Sequence, residues 1–484
     1  MEVSKQVDVL IVGAGISGVD IACRLKQRCP GKSFVILESR GRIGGTWDLF
    51  RYPGVRSDSD MFTLGFPFRP WPSDQAIVGG GQIRQYVEDT ARELGIFDRI
   101  RFDTQVTAAS WSSAAARWTV ETNQGAFTCS FLYLASGYYD YAQGHRPEWP
   151  GEADFKGRIV HPQFWPEDLD FAGKRVAVIG SGATAVTLVP AMAEEAAQVT
   201  MVQRSPSYIV AAPARDIHAK WLQRLLPEAL AAPLIRWKRI LLTILLFSRA
   251  RRRPQRVATW IREKAREALP AGYPVERHFS PAYNPWDQRL CLIPDGDLFE
   301  AISSGTVAIA TGEIERFVPE GMLLKSGETI PADIVVTATG LSMRLLGGIE
   351  LEADGEAVRP ADHFIYKGMM LSGVPNLFVS FGYTNASWTL RSDLTARAVC
   401  RLLRQMDAKR RKVCVANPPA DLERRSIMEL NSGYVQRATT VLPGQGDRQP
   451  WRVPQNYLKD LAAMTLSPID EGLEFVEGAR DANG

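Results

Sequence analysis

A strand running straight into a glycine turn, then a helix, then a second strand closed by a charged residue, leaves few folds open, and this sequence contains that unit twice. Val7–Val12 is apolar apart from Asp8, Gly13-Ala14-Gly15-Ile16-Ser17-Gly18 follows, a helix is predicted through about Arg28, and Phe34–Leu37 ends at Glu38. This is the order of a Rossmann unit. Gly13 makes the turn, Gly15 lets backbone approach a pyrophosphate, and Gly18 lets helix and strand pack closely, with Ser17 inside the turn. The helix N-terminus offers N–H groups to phosphate oxygens. Glu38, twenty residues past Gly18, is placed to accept from both hydroxyls of an adenosine ribose, and its charge repels a 2′-phosphate. The first unit therefore suits FAD or NAD. The second unit has a strand at Arg175–Ile179, the turn Gly180-Ser181-Gly182-Ala183-Thr184-Ala185 and a strand at Val199–Val202. Where an acid would stand, it has Arg204 and Ser205. A guanidinium and a hydroxyl suit a 2′-phosphate, although Arg204 as a solvated surface residue is the competing reading. The two cofactors expected are FAD in the first unit and NADPH in the second.

The bulk numbers agree with such a chain. At 484 residues there is room for two or three domains. Apolar content of 45% and charged content of 23% are those of a soluble globular protein. A net charge of +3 with interspersed signs implies no nucleic acid or other large polyanion as partner. Six scattered cysteines, none in C-x-x-C, argue against a disulfide framework, a metal site or a dithiol centre, and fit a reducing, cytoplasmic setting. No secretory signal is read at the N-terminus. Oligomeric state is not legible.

Two further runs bear on the chemistry. Gly44-Gly45-Thr46-Trp47 leads through Tyr52-Pro53-Gly54 to Arg56, Ser57 and Asp58, and a glycine turn placed after the acid is where FAD enzymes bring backbone to the flavin end. Arg56 and Ser57 are candidate cofactor contacts, and Asp58 is a catalytic candidate whose rival role is a helix cap. Between the two nucleotide units lies Phe155-x-Gly157-x-x-x-His161-x-x-x-Trp165-Pro166, a short segment that must set how they face each other.

Both runs resemble signatures of the Baeyer–Villiger monooxygenases, the class B flavoproteins that insert oxygen beside a ketone carbonyl. The first matches G-G-x-W-x-x-x-x-Y-P-G-x-x-x-D at every fixed position, and the second places Trp165 where amine- and sulfide-oxidising relatives usually carry Tyr or Phe. Runs such as S-D-S-D-M, H-P-Q-F-W-P-E-D-L-D, N-P-W-D-Q-R-L-C-L and G-Y-T-N-A-S-W-T-L look like the ethionamide-activating flavin monooxygenases of mycobacteria. The resemblance covers essentially the whole chain. It implies that Arg289 is the catalytic arginine, held by Asp58, and that Val106 lays its backbone along adenine. Gln288 departs from the family's lysine, which shifts 2′-phosphate binding toward Arg204. The resemblance also implies ketone oxidation to esters or lactones through a C4a-peroxyflavin, with O₂ as co-substrate, and sulfoxidation of thioethers. The alternatives are a sulfide or thioamide S-monooxygenase, an NADPH oxidase and a redox-sensing flavoprotein.

The expected class is α/β, with two Rossmann-like dinucleotide-binding domains, for FAD and NADP, and an inserted helical subdomain. Residues 1–150 form the first part of the FAD domain, 151–213 and 286–339 the NADP domain, 214–285 the helical insertion, and 340–484 the rest of the FAD domain with a C-terminal cover over the active site. Within the first part, Ile100–Val106, Ala109–Trp111 and Arg117–Thr122 read as an antiparallel meander. Asn385 and Trp388 are candidate substrate-pocket residues. The apolar run Ile240–Phe247 is far short of a bilayer span. Its basic border permits contact with an anionic membrane surface, but a packed lid with a solvated basic face is the favoured expectation.

Overall fold

The computed structural model describes residues 5–288, 290–427, 437 and 441–477. The strand Gln6–Val12 lies at the centre of a parallel array, flanked by Phe34–Leu37 on one side and Phe127–Leu134 on the other. Its β-branched run is buried on both faces, as a central parallel strand requires. Ile100–Arg101 joins the far edge in parallel with Phe34–Leu37, and Leu377–Val379 pairs with the end of Phe127–Leu134. The helices Ile16–Arg28 and Trp388–Ala408 pack together through one core cluster on this sheet. Val106–Ser112, Arg117–Thr122 and Phe127–Leu134 form the antiparallel meander beside it. The expectation that Ile100 belongs to that meander is corrected: it follows the crossover helix Gly80–Glu93 and completes the parallel edge.

The second sheet is wholly parallel. Its order is Val307–Thr311, Gln198–Gln203, Arg175–Ile179, Ile334–Thr337, Arg158–Val160. The helix Ala183–Met192 covers it and contributes much of its core. The two sheets are joined by a crossing pair of antiparallel strands, Tyr139–Gly144 and Leu341–Met343. The fold is thus α/β with two Rossmann-like units.

The helices Ile217–Leu225, Glu228–Arg252 and Pro254–Ala268 interrupt the second unit between Ile209–Ala212 and Cys291–Pro294, two strands that pair with each other. Asp216 anchors the group. Its carboxylate accepts from the N–H groups of His218 and Ala219 as an N-cap, and from Lys238 Nζ at 2.9 Å, and it forms a salt bridge to Arg239 at 2.5 Å. Arg236 donates to the carbonyls of Phe62 and Gly65. Part of the expected solvated basic face is therefore turned inward and paired. The outward face carries exposed leucines beside the remaining exposed basic side chains, while Ala231 and Ile235 pack against Phe62 and Ala76 as a lid does. Among the described residues no helix is long and apolar enough to cross a membrane.

Candidate active site

Both glycine turns open into one cavity of about 1010 Å³, at the upper end of what a single small-molecule site occupies, roughly 300–1,000 Å³. On the first side, Gly13, Gly15, Ser17, Glu38, Gly45, Thr46, Trp47, Arg56, Ser57, Asp58 and Val106 line it. On the second side the wall is Gly180, Ser181, Gly182, Ala183, Thr184, Arg204 and Ser205. Gly18 and Ala185 lie behind the turns and shape them. A Cβ at Gly18 would come within 1.8 Å of the Gly13 carbonyl oxygen, so the helix can approach its strand this closely only with glycine there.

The first side fits an FAD pyrophosphate and ribose. The helix Ile16–Arg28 starts at Gly15 with no side chain capping it, so its first-turn N–H groups face the cavity. The turn at Gly45 packs backbone to backbone against it: a Cβ on Gly45 would lie 3.0 Å from Gly15 Cα. Glu38 is buried, which raises its pKa, while the N–H groups of Ala14 (2.7 Å) and Arg40 (3.0 Å) favour its ionised form. Two oxygens with four acceptor sites leave capacity for ribose hydroxyls. Tyr141, on the crossing strand, closes this end, and burial pushes its hydroxyl up to about 12.

The second side fits a nicotinamide dinucleotide. The helix Ala183–Met192 also starts at a glycine, Gly182, without a capping side chain. Arg204 and Ser205 follow the Gln198–Gln203 strand and are exposed at the cavity rim. The Ser181 hydroxyl donates to the Ser205 carbonyl at 3.1 Å. Gln288 is also in the wall, and Arg289 lies outside the described residues.

The Gly44–Asp58 run bridges the two sides. Trp47 borders the core of the first unit, while Phe50, Tyr52 and Val55 pack into that of the second. Tyr52 is hydrogen-bonded with Thr184; burial, the larger influence, pushes its hydroxyl up to about 12. Asp58 caps no helix. The short helix Met61–Leu64 is capped by Asp60, whose carboxylate accepts from Thr63 N–H, so the helix-cap alternative for Asp58 falls away.

The segment Phe155–Pro166 is not in the cavity wall. Phe155 is buried edge-on against Phe317, and Gly157 sits where a Cβ would strike the Asp333 carbonyl. Trp165 packs against the second unit's core, with Pro166 beyond it. His161 presses its ring on Gly144 of the crossing strand, so closely that a Cβ there would come within 2.2 Å of it. Gln163 donates to the Asp140 carbonyl of the same strand at 2.7 Å. Burial holds the His161 pKa below the ordinary histidine value. The segment grips the connection between the units from behind.

Trp388 and Asn385 separate. Trp388 donates from Nε1 to the Ser17 hydroxyl at 2.7 Å, stacks on Tyr138 and lines the cavity. Asn385 donates to the Gln455 carbonyl and lines a smaller pocket behind Tyr383. The C-terminal Pro450–Lys459 segment is there too, through Gln455, Asn456 and Tyr457, rather than over the main cavity as expected. Tyr138, Tyr139, Tyr141 and Arg344 are wall residues that the motifs did not point to. The aromatic run following Gly137 was the only sequence signal for the three tyrosines, and Arg344 had none.

Two dinucleotide turns facing one cavity define a two-domain flavoprotein oxidoreductase. Residues 10–229 match the family described as pyridine nucleotide-disulphide oxidoreductase. The chain is 52% identical to the FAD-containing monooxygenase EthA of Mycobacterium tuberculosis, over 98% of both chains, and 49% identical to EthA of Mycolicibacterium smegmatis, over 97% of this chain and 96% of that one. It belongs to this family of FAD-containing monooxygenases. In fold it is similar to an oxidized steroid monooxygenase bound to NADP, with TM-score 0.79, 24% identity and coverage of 98% and 100%. It is also similar to an open cyclohexanone monooxygenase, with TM-score 0.76, 20% identity and coverage of 97% and 99%.

Proposed function

We propose that the chain is an NADPH- and O₂-dependent monooxygenase that converts ketones to esters or lactones and oxidises thioethers at the same site. The observation that carries this reading is the single cavity. An acid-closed glycine turn and an arginine-closed glycine turn face each other across it, with Asp58 in the wall between. Glu38 holds the adenosine ribose of FAD, and the N-terminus of Ile16–Arg28 holds its pyrophosphate. Arg204 and Ser205 hold the 2′-phosphate of NADPH, and Gly182–Thr184 its pyrophosphate. FAD and NADPH held there would supply the redox chemistry and the activation of O₂ that no side chain can provide.

The chain's own residues must position and protect. Trp388, Tyr138 and Tyr141 exclude water from the flavin end. Arg289, assigned through the resemblance, stabilises negative charge on the substrate carbonyl oxygen as oxygen inserts, a preorganised electrostatic role worth several kcal/mol in other enzymes. Asp58 holds that guanidinium in place. The His161 grip on the crossing strand sets the angle at which nicotinamide meets flavin.

The test is NADPH consumption with a simple ketone and an aryl sulfide, following lactone, sulfoxide and H₂O₂ together. Arg289→Ala should leave flavin reduction by NADPH intact and lower lactone formation by roughly 100-fold or more. Lactone formation undiminished in that variant removes Arg289 from the mechanism. Sulfoxide without lactone in the wild type makes the chain an S-monooxygenase, H₂O₂ alone makes it an oxidase, and no turnover leaves a redox-sensing flavoprotein.

A further inference from the structure

The outward face of the Glu228–Arg252 helix is apolar and exposed. Leu230, Leu234, Trp237, Leu241 and Leu245, spaced by three and four, are 57%, 52%, 37%, 51% and 50% exposed. Residues so spaced form one stripe along a helix. The preceding helix, held beside it by Asp216, adds Trp221 and Leu225, both more than half exposed. Scattered exposed leucines are ordinary on a folded surface, but a contiguous stripe with two tryptophans marks an interaction surface.

Charge says what kind. Residues 217–256 hold ten basic side chains and one acidic one, a local charge of +9 in a chain whose total is +3, so everything outside them sums to −6. Six of the ten, Lys220, Arg224, Arg249, Arg252, Arg253 and Arg256, are exposed and form no ion pair among the described residues. An exposed apolar stripe with tryptophans, bordered by unpaired cations on the same and the flanking helices and too polar to span a bilayer, has the pattern of an interfacial surface. A second copy of this chain meeting it face to face, as in a two-fold dimer, would bring the same positive charge to the contact and be repelled.

We propose that the helix pair Ile217–Leu225 and Glu228–Arg252 docks this protein on the surface of an anionic lipid bilayer. The leucines and tryptophans enter the acyl boundary, and the arginines meet phosphate headgroups. The buried face of the same helix contributes Ile240, Thr243, Ile244 and Phe247 to the small pocket whose opposite wall, Tyr383 and Ala386, also lines the cofactor cavity. Docking would therefore put a helix whose inner face lies next to the cofactor cavity at the lipid surface. That consequence rests on the proposed monooxygenase reading; the docking does not, and the test measures binding without turnover.

The FAD-loaded full chain is floated with vesicles of equal parts phosphatidylglycerol and phosphatidylcholine, and separately with phosphatidylcholine alone. Tryptophan emission is read in the same samples. The wild type should float with the anionic vesicles, with blue-shifted emission, and bind the neutral ones at least about tenfold more weakly. Leu234→Glu/Leu241→Glu should lose roughly tenfold or more in affinity. Arg249→Glu/Arg252→Glu/Arg253→Glu, whose side chains are all exposed, should lose a similar factor while keeping the wild-type circular dichroism and bound flavin. No flotation of the folded wild type overturns the proposal. So does a wild-type dimer, seen by sedimentation, that the leucine variant converts to monomer, because a second copy would then be the occupant.

Discussion

At the scale of single residues, Asp20 carries a burial cost. It sits in the helix after the first glycine turn, fully buried, with Ser392, Asp393 and Arg24 as its polar neighbours. Burial, then the charge of Asp393, raises its pKa well above the ordinary carboxylate value, and Arg24 only partly opposes this. A carboxyl whose folded pKa is raised contributes stability that is full below the unfolded pKa and is lost as pH rises through the folded one. The native state thus becomes relatively less stable with rising pH at this site. Asp20→Asn, which mimics the neutral acid, should raise the unfolding midpoint at neutral pH, by an amount that shrinks toward zero near pH 4. The slope over the titrating window is about 1.4 kcal/mol per pH unit. Thermal unfolding across that range checks it, and a pH-independent difference between the two proteins is the wrong outcome.

At the scale of elements, the long helix Trp388–Ala408 ties the cavity to the C-terminal segment. Arg391, in its first turn, is 1% exposed at its side chain and meets the Asp460 carboxylate at 2.6 Å. Asp460 also accepts from the Tyr383 hydroxyl at 2.6 Å, and Tyr383 stands in both pocket walls. Further along, Arg401 donates to the carbonyls of Met464, Thr465 and Ser467. The segment is therefore clamped to the helix rather than laid over the cavity. Removing one partner from a buried pair leaves the other charge unpaired, at a cost of about 3–5 kcal/mol. Asp460→Ala should lower the denaturation free energy by that amount. A change below about 1 kcal/mol would show that Arg391 finds another acceptor.

At the scale of the whole molecule, what matters is how the two dinucleotide units are held face to face. Gly54 is one point of contact. It has φ +73°, and a Cβ there would lie 2.6 Å from Ala191 Cβ and 2.9 Å from the Thr187 carbonyl oxygen on the helix of the second unit. Gly54→Ala should leave FAD binding intact but slow anaerobic flavin reduction by NADPH. A misplacement of about 1 Å can cost roughly 100-fold, so a loss of tenfold or more in stopped flow is expected; an unchanged rate would mean that this contact does not set the alignment.

Both cofactor turns were legible in the sequence because each is local. A buried strand, glycines at fixed offsets and a charged or hydroxylated strand end all lie within a few tens of residues. Gly13–Gly18 with Glu38, and Gly180–Ala185 with Arg204, consequently stand where the spacing put them. Tyr139 and Tyr141 could not be read in this way, since their strand finds its partner two hundred residues on, at Leu341–Met343. Asn385 was displaced for a related reason, as its side chain answers to Gln455, seventy residues away. The outward turn of the leucine stripe was likewise undetermined: helical periodicity gives a face, and only the packing of Asp216, Arg236 and Arg239 decides which face is inward. Short-range backbone geometry thus determined the two glycine turns and the charged strand ends that follow them. Long-range packing decided that they share one cavity, what closes it, and which surface is left for a partner, because these depend on contacts between residues that no local spacing relates.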